Sequence, residues 1–258
     1  MPEGDAVWRT ARRLDRALRG DELVGVDLRM GRLPEVELRG RRTIEVVPRG
    51  KHILHRIDSG WTLHSHLRMD GSWRVVPTPR VSPRFAAHDD IRALVATAEK
   101  ACVGRKLGML DLVRTRDEHR LVGHLGPDIL GADWDEDEAL RRLRANGGRP
   151  IGAALLDQRN LAGLGTIWTT EPLFERGVDP WLPVDRLDEG VIRDVLQIAH
   201  RMLHDAIGEG RHVPQAYERK GWPCPRCGAK LRIGMIGDAP QARQLTYCPS
   251  CQRNPSHG

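Results

Sequence analysis

PCPRCGAKLRIGMIGDAPQARQLTYCPSC, residues 223–251, holds four of the chain's five cysteines as two tight C-x-x-C pairs. The pairs, Cys224 with Cys227 and Cys248 with Cys251, are separated by the 20 residues 228–247. Each pair can direct two thiolates at one ion, and a hairpin between them completes a tetrahedron, so the spacing predicts a four-cysteine zinc ribbon. Sulfur at all four positions leaves no place for a reactive water, so the expected zinc, a single ion, is structural. The chain shows no secretory pattern, which favours metal over disulfides for these pairs. The fifth cysteine, Cys102, sits in an apolar run and reads as a small buried hydrophobe.

Upstream of the ribbon the texture is helical. DEDEALRRLRA (135–145), IGAALLDQ (151–158) and DEGVIRDVLQIAHRMLHDAI (188–207) carry apolar residues at helical spacing. NLAGLGTIWTTEPLF (160–174) reads as a turn that enters another helix, with Gly163 and Gly165 letting backbone N–H groups at a helix start point toward a phosphate. From Leu23 to about Val113 the chain changes to short strand-like runs: LVGVDLRM (23–30), TIEVVP (43–48), HILHRI (52–57), WTLHSHL (61–67) and DIRALVAT (90–97). Their spacing predicts a β-sandwich, with PTPRVSPRF (77–85) as an exposed loop. Residues 4–19 read as an amphipathic helix on Val7, Ala11, Leu14 and Leu18, stopped by Gly20.

The formal net charge is +6, mostly from arginine, and the isoelectric point is near 9.4. That balance fits a polyanionic partner bound through phosphates. No apolar run reaches the length of a membrane span, and the N-terminus lacks the apolar core of a signal peptide, so a cytoplasmic, nucleoid-associated location is expected. MPEG at the start suggests a distinct chemistry. Removal of Met1 exposes the secondary amine of Pro2, which forms an already cationic iminium with an aldehyde-like carbon. The positive end of the following helix disfavours the ammonium form of that amine, and the adjacent Glu3 can move protons.

With these features in place, the sequence resembles the formamidopyrimidine-DNA glycosylase and endonuclease VIII family. Pro2 and Glu3 match the family's opening. PRGKHIL supplies Lys51, a strand lysine before an apolar stretch. HLRMDG corresponds to the family's HLGMSG, HLGPD (124–128) to the entry of the helical domain, and DQRNLAGLGTIWTTE (157–171) to the helix-two-turns-helix motif. RQLTYC places Arg243 five residues before the third cysteine, as in the family's zinc hairpin.

The resemblance implies an α+β architecture. An N-terminal catalytic β-sandwich flanked by helices (1–123) is followed by a helical helix-two-turns-helix DNA-binding domain (124–216) and a zinc-finger module (217–258). It implies a monomer that binds DNA containing damaged bases or abasic sites in a cleft between the domains and flips the nucleotide out. Pro2 is then the nucleophile at C1′, Glu3 the proton carrier, and Lys51 a support for phosphate binding and catalysis. His66, Gly165, Thr166 and Arg243 contact the DNA, and Met69 fills the vacated stack.

Three positions depart from the family pattern. Ala6 stands where the family has glutamate. Thr166 stands where the helix-two-turns-helix motif has asparagine, and its hydroxyl offers a phosphate fewer options than an amide. KLGMLDLVRTRDE (106–118) contains no PRRF-type tetrad. The last difference, with PEG in place of PEL, favours the endonuclease VIII branch and oxidised pyrimidines. The expected activity is that of a bifunctional glycosylase and AP lyase acting by β- or β,δ-elimination. Ala6 and Thr166 fit an alternative, a DNA-binding protein of the same architecture that has lost catalysis.

Overall fold

The computed structural model describes residues 2–30, 33–209 and 212–252. It resolves into two units, one of residues 2 and 6–124, the other of residues 3–5 with 125–252.

Helix α1 (Gly4–Leu18) forms on the expected stripe, and Val7, Ala11, Leu14 and Leu18 are buried. Gly20, at φ +80°, supplies the left-handed step just beyond its end. Eight strands follow: β1 (Gly25–Leu28), β2 (Thr43–Arg49), β3 (His52–Ile57), β4 (Trp61–His66), β5 (Ser72–Pro77), β6 (Ile91–Ala96), β7 (Lys100–Arg105) and β8 (Met109–Arg114). They form two antiparallel sheets, ordered β1-β6-β7-β5 and β2-β3-β4-β8. The β-sandwich expected from the sequence is therefore present.

Strand alternation sorts the side chains of the second sheet. Ile53, His55, Leu63 and Ser65 face Trp73, Val95 and Cys102 of the first. Trp73 donates from its indole to Ser65 Oγ at 3.1 Å, which satisfies the one polar atom that its burial would otherwise orphan. Arg56, Thr62 and His64 point to the other face. There Arg56 grips Glu118 at 2.9 and 2.8 Å and Glu45 at 2.6 Å.

The structure revises several sequence expectations. The stretch 77–85 is not a plain loop: a 3-10 turn at Thr78–Arg80 leads into a short helix α2 (Pro83–Ala86) capped by Ser82. Within 106–118, which lacks the tetrad, strand β8 takes up Met109–Arg114, with Leu110 and Leu112 alternating into the core. Lys51 is not a strand residue. Arg49 pairs with His52, leaving Gly50 and Lys51 as a two-residue hairpin turn. Gly50 has φ +57°, as the first central position of a type II′ turn requires. A one-turn helix α3 (His119–Val122) closes this unit.

The second unit is helical: α4 (Glu136–Arg144), α5 (Ile151–Leu156), α6 (Thr166–Arg176) and α7 (Glu189–Glu209). Its core gathers Leu143, Leu155, Trp168, Leu173 and Leu196. Strands β9 (Arg232–Ile236) and β10 (Arg243–Tyr247) form the expected hairpin between the cysteine pairs. Ile236 and Leu245 pack on Ala153 of α5. Trp181 donates to the Met235 carbonyl at 2.9 Å, and a side chain at Gly234 would overlap its ring. No helix among the described residues is long and apolar enough to cross a membrane.

Candidate active site

The glycine turn before α6 holds an anion, and the anion is Glu3. Its carboxylate is 3% exposed and accepts backbone N–H groups from Gly165 at 2.9 Å, Ile167 at 2.9 Å and Trp168 at 3.2 Å. Those are groups a helix start leaves without partners, at the positive end of its dipole. Gly165 cannot be another residue, because a Cβ there would overlap the Glu3 carboxylate. Two further contacts fasten the neighbouring residues. Gly4 N–H donates to the Gly163 carbonyl at 2.9 Å, and the Trp168 indole donates to Asp5 at 2.9 Å. The sequence reading assigned this turn to an external phosphate; here a carboxylate of the chain itself occupies the anion's place.

Thr166, the first residue of α6, adds its hydroxyl 3.4 Å from Glu3 Oε1. That hydroxyl also bonds the Tyr217 phenol, whose pKa burial pushes up. Tyr217 is positioned in turn by Glu171, 1% exposed, whose carboxylate accepts N–H groups from Gln215 at 2.8 Å, Ala216 at 2.9 Å and Tyr217 at 2.7 Å. Burial pushes the Glu171 carboxyl up, but His212 and these three N–H groups outweigh it and hold it below the usual carboxylate range. Sequence reasoning missed Glu171 and Tyr217. An acidic residue inside the apolar face of α6 was the available signal, since a buried carboxylate must be paired.

In the first unit, Pro2 is half-buried and lies just before α1. Lys51 is buried in its turn, 7% exposed. His66 ends β4, and its Nδ1 accepts the Arg68 backbone N–H at 3.0 Å. Burial, with Arg68, His64 and Lys51 nearby, lowers its pKa to about 4, so at neutral pH it is an uncharged ring. Met69 is 67% exposed on a turn so tight that a Cβ at Gly71 would overlap the Leu67 carbonyl. A large apolar side chain held out on a rigid turn can enter a gap in a base stack. Ala6 lies in the first turns of α1 and gives only its carbonyl, to the Thr10 hydroxyl at 2.8 Å.

The four cysteines converge. Their sulfurs lie within 4.8 Å of one another, with Cys224–Cys251 at 3.9 Å and Cys227–Cys248 at 3.5 Å. A tetrahedron of thiolates about 2.3 Å from a central ion has edges of about 3.8 Å, so the cage fits one such metal ion. Arg243 opens β10, is exposed, and turns its guanidinium to the Gln241 and Ala242 carbonyls at 2.7 and 3.2 Å. Among the described residues it forms no ion pair.

The structure thus brings Glu3, Gly165 and Thr166 into one hydrogen-bonded group, places Lys51 beside His66, and gathers the four cysteines. Met69 stands on its own turn and Arg243 at the start of β10. Two family models match the chain: the formamidopyrimidine-DNA glycosylase N-terminal domain over residues 1–111 and the H2TH domain of the same enzyme over residues 125–216. A relative named probable endonuclease 8 2, from Streptomyces coelicolor, is 44% identical over 99% of this chain and 95% of its own length. DNA-(apurinic or apyrimidinic site) lyase Nei2 of Mycolicibacterium smegmatis is 37% identical over 98% of this chain and 99% of its own. The solved structure of Lactococcus lactis formamidopyrimidine-DNA glycosylase with AP-site DNA superposes with a TM-score of 0.82, covering 98% of this chain and all of that one at 24% identity, a likeness of fold.

Proposed function

Since the chain belongs to the formamidopyrimidine-DNA glycosylase and endonuclease VIII family, we propose that it is a DNA glycosylase and AP lyase of base excision repair that removes oxidised pyrimidines. The observation that carries this reading is the clamp on Glu3. Three backbone N–H groups hold its carboxylate, and the peptide bond places Pro2 beside it. An acid–base group held this firmly next to a secondary amine is what imine chemistry at a sugar carbon needs.

In the proposed reaction, removal of Met1 frees the Pro2 nitrogen. Its lone pair forms the N–C1′ bond as the glycosidic bond breaks, and the base leaves with the electron pair and gains a proton. Opening of the sugar ring gives an iminium. The iminium acidifies C2′–H; loss of that proton breaks the C3′–O bond, and a second elimination breaks the C5′–O bond. Glu3 moves protons at the sugar oxygen and leaving base. Lys51, His66 and Arg243 hold phosphates, the Gly165 turn keeps Glu3 in place with only a long contact from Thr166, and Met69 fills the stack. Cys224, Cys227, Cys248 and Cys251 hold one zinc ion, which supplies folding energy to the hairpin that carries Arg243.

Borohydride trapping on duplexes containing thymine glycol, 8-oxoguanine or an abasic site tests the reading. A covalent adduct on thymine glycol and on the abasic site, lost in Pro2→Gly and in protein that retains Met1, is expected. DNA binding without any adduct from a processed N-terminus would leave a binding protein in place of an enzyme. An adduct on 8-oxoguanine in preference to thymine glycol would move the chain to the purine branch.

A further inference from the structure

The outer face of the β2-β3-β4-β8 sheet carries a chain of polar side chains of which the proposed reaction uses only His66. Register puts His52 opposite His66 and His64 opposite Asp111, and the alternation of strands sends all four to one face. His64 is fully buried. Its Nδ1 lies 2.9 Å from Asp111 Oδ2, and its Nε2 lies 2.7 Å from His52 Nδ1. The His52 ring stacks on His64 with centroids 5.0 Å apart and meets His66 edge to face at 4.8 Å and 82°.

The donors and acceptors can be ordered in one way only for neutral rings. A carboxylate only accepts, so His64 carries its proton on Nδ1. Its Nε2 is then bare and accepts from His52 Nδ1–H, leaving His52 Nε2 bare. At the other end, His66 accepts the Arg68 N–H on Nδ1, so its proton sits on Nε2. Burial lowers the pKa of His64 against the pull of Asp111, and burial with His64, His66, His124 and Lys51 lowers His52 to about 3. The charged and titratable groups around the rings are Lys51 from the β2–β3 turn, Arg68 from the β4–β5 turn, His124 after α3, and Asp111 from β8. The cationic neighbours oppose protonation, and Asp111 is placed where it touches only the far end of the chain.

We propose that Asp111, His64 and His52 are a positioning relay that holds the His66 ring as a fixed, neutral Nε2–H donor toward a DNA phosphate. The carboxylate sets the tautomer of His64, His64 sets that of His52, and the His52 ring fixes the plane of His66. The inference rests on the proposed role of His66 as a phosphate contact. A neutral donor of fixed aim would bind phosphate without the pH dependence that an imidazolium brings.

The test combines spectroscopy with kinetics on an abasic-site duplex. In the wild type, long-range ¹H–¹⁵N imidazole spectra at pH 7.5 are expected to show His52 and His64 protonated on Nδ1 and His66 on Nε2. Asp111→Ala is expected to lose the Nδ1–H pattern and to raise KM about 5–10-fold with kcat within about twofold, the net size of one ordinary hydrogen bond. Asp111→Asn retains an acceptor oxygen and should recover most of the affinity. His64 protonated on Nε2 or charged in the wild type would overturn the relay. So would a KM unchanged in Asp111→Ala when His66→Ala raises it. If His66→Ala itself leaves KM unchanged, the phosphate role of His66 falls and the relay's purpose with it.

Discussion

Glu3 and Glu171 are solvated in the same way. Both are buried, and each accepts three backbone N–H groups: Glu3 from Gly165, Ile167 and Trp168, Glu171 from Gln215, Ala216 and Tyr217. One closes the start of α6; the other sits within it and anchors the segment that leads to the metal hairpin. They are joined through Tyr217, whose N–H meets Glu171 and whose phenol meets the Thr166 hydroxyl next to Glu3. Burial and hydrogen bonding therefore cannot tell a catalytic carboxylate from a structural one. What differs is the covalent neighbour: the proposed nucleophile Pro2 precedes Glu3, whereas Thr170 and Pro172 flank Glu171 inside α6.

The largest effect should come from the end that Glu171 serves. Removing the metal by chelation, or changing Cys248 to Ala, takes away a binding energy of about 10 kcal/mol or more for thiolate cages of this kind. Hydrogen exchange should then show the β9–β10 amides unprotected, while Gly165, Ile167 and Trp168 stay protected by Glu3. Loss of protection at the Glu3 clamp as well would mean that the two carboxylates are not independent.

Glu3→Gln comes next. It should reduce base excision by about 10²–10⁴-fold, the range of a positioned proton carrier, and cost about 1–3 kcal/mol of stability because an amide N–H₂ would face a backbone donor. Glu171→Gln should cost a similar 1–3 kcal/mol and leave the rate per folded molecule unchanged. Thermal melts and single-turnover excision on the same samples separate the two. A rate loss in Glu171→Gln beyond the unfolded fraction would erase the distinction.

Glu171 responds to pH with a definite sign. The Glu171 carboxyl is depressed in the folded state by His212 and the three N–H groups, which outweigh burial. Its contribution is thus present above the unfolded carboxylate pKa and lost as pH falls through the folded value. The stability gap between wild type and Glu171→Gln should close on acidification. In the first unit the rings of His52 and His55, lowered by burial to about 3 and about 4, act in the same direction. The unfolded chain binds their protons first, so stability falls from about pH 6.5 downward.

Legibility in the sequence followed the range of the contacts. The cysteine cage was readable because each half is a four-residue motif and the pair spacing fits a hairpin. The sandwich and the helices were readable from periodicity, and Glu3 from its place beside Pro2. The Glu171 anchor, the Tyr217 phenol and the Asp111–His64–His52 chain were not. Each joins residues whose meeting depends on strand register or on the path of a tail, and neither leaves a periodic trace. Lys51 shows the same limit at short range. The runs 43–48 and 52–57 read as separate strands, but the family pattern gives Lys51 as a strand lysine until the pairing of Arg49 with His52 shows that it lies in the turn between them.

Thr166 offers the finest division between the two carboxylates, because its hydroxyl meets both Glu3 and the Tyr217 phenol. Its bond to Glu3 is long, at 3.4 Å, so it contributes little to holding a carboxylate that already has three N–H partners. Thr166→Val should therefore change stability by less than about 1 kcal/mol and slow excision about two- to fivefold, with the Tyr217 phenol released to find water. If the proposed reaction depends on Glu3 being held by the turn alone, that small change is all that will appear. A loss approaching that of Glu3→Gln would place Thr166 and Tyr217 within the proton path, and the tail anchored by Glu171 would then belong to the catalytic machinery.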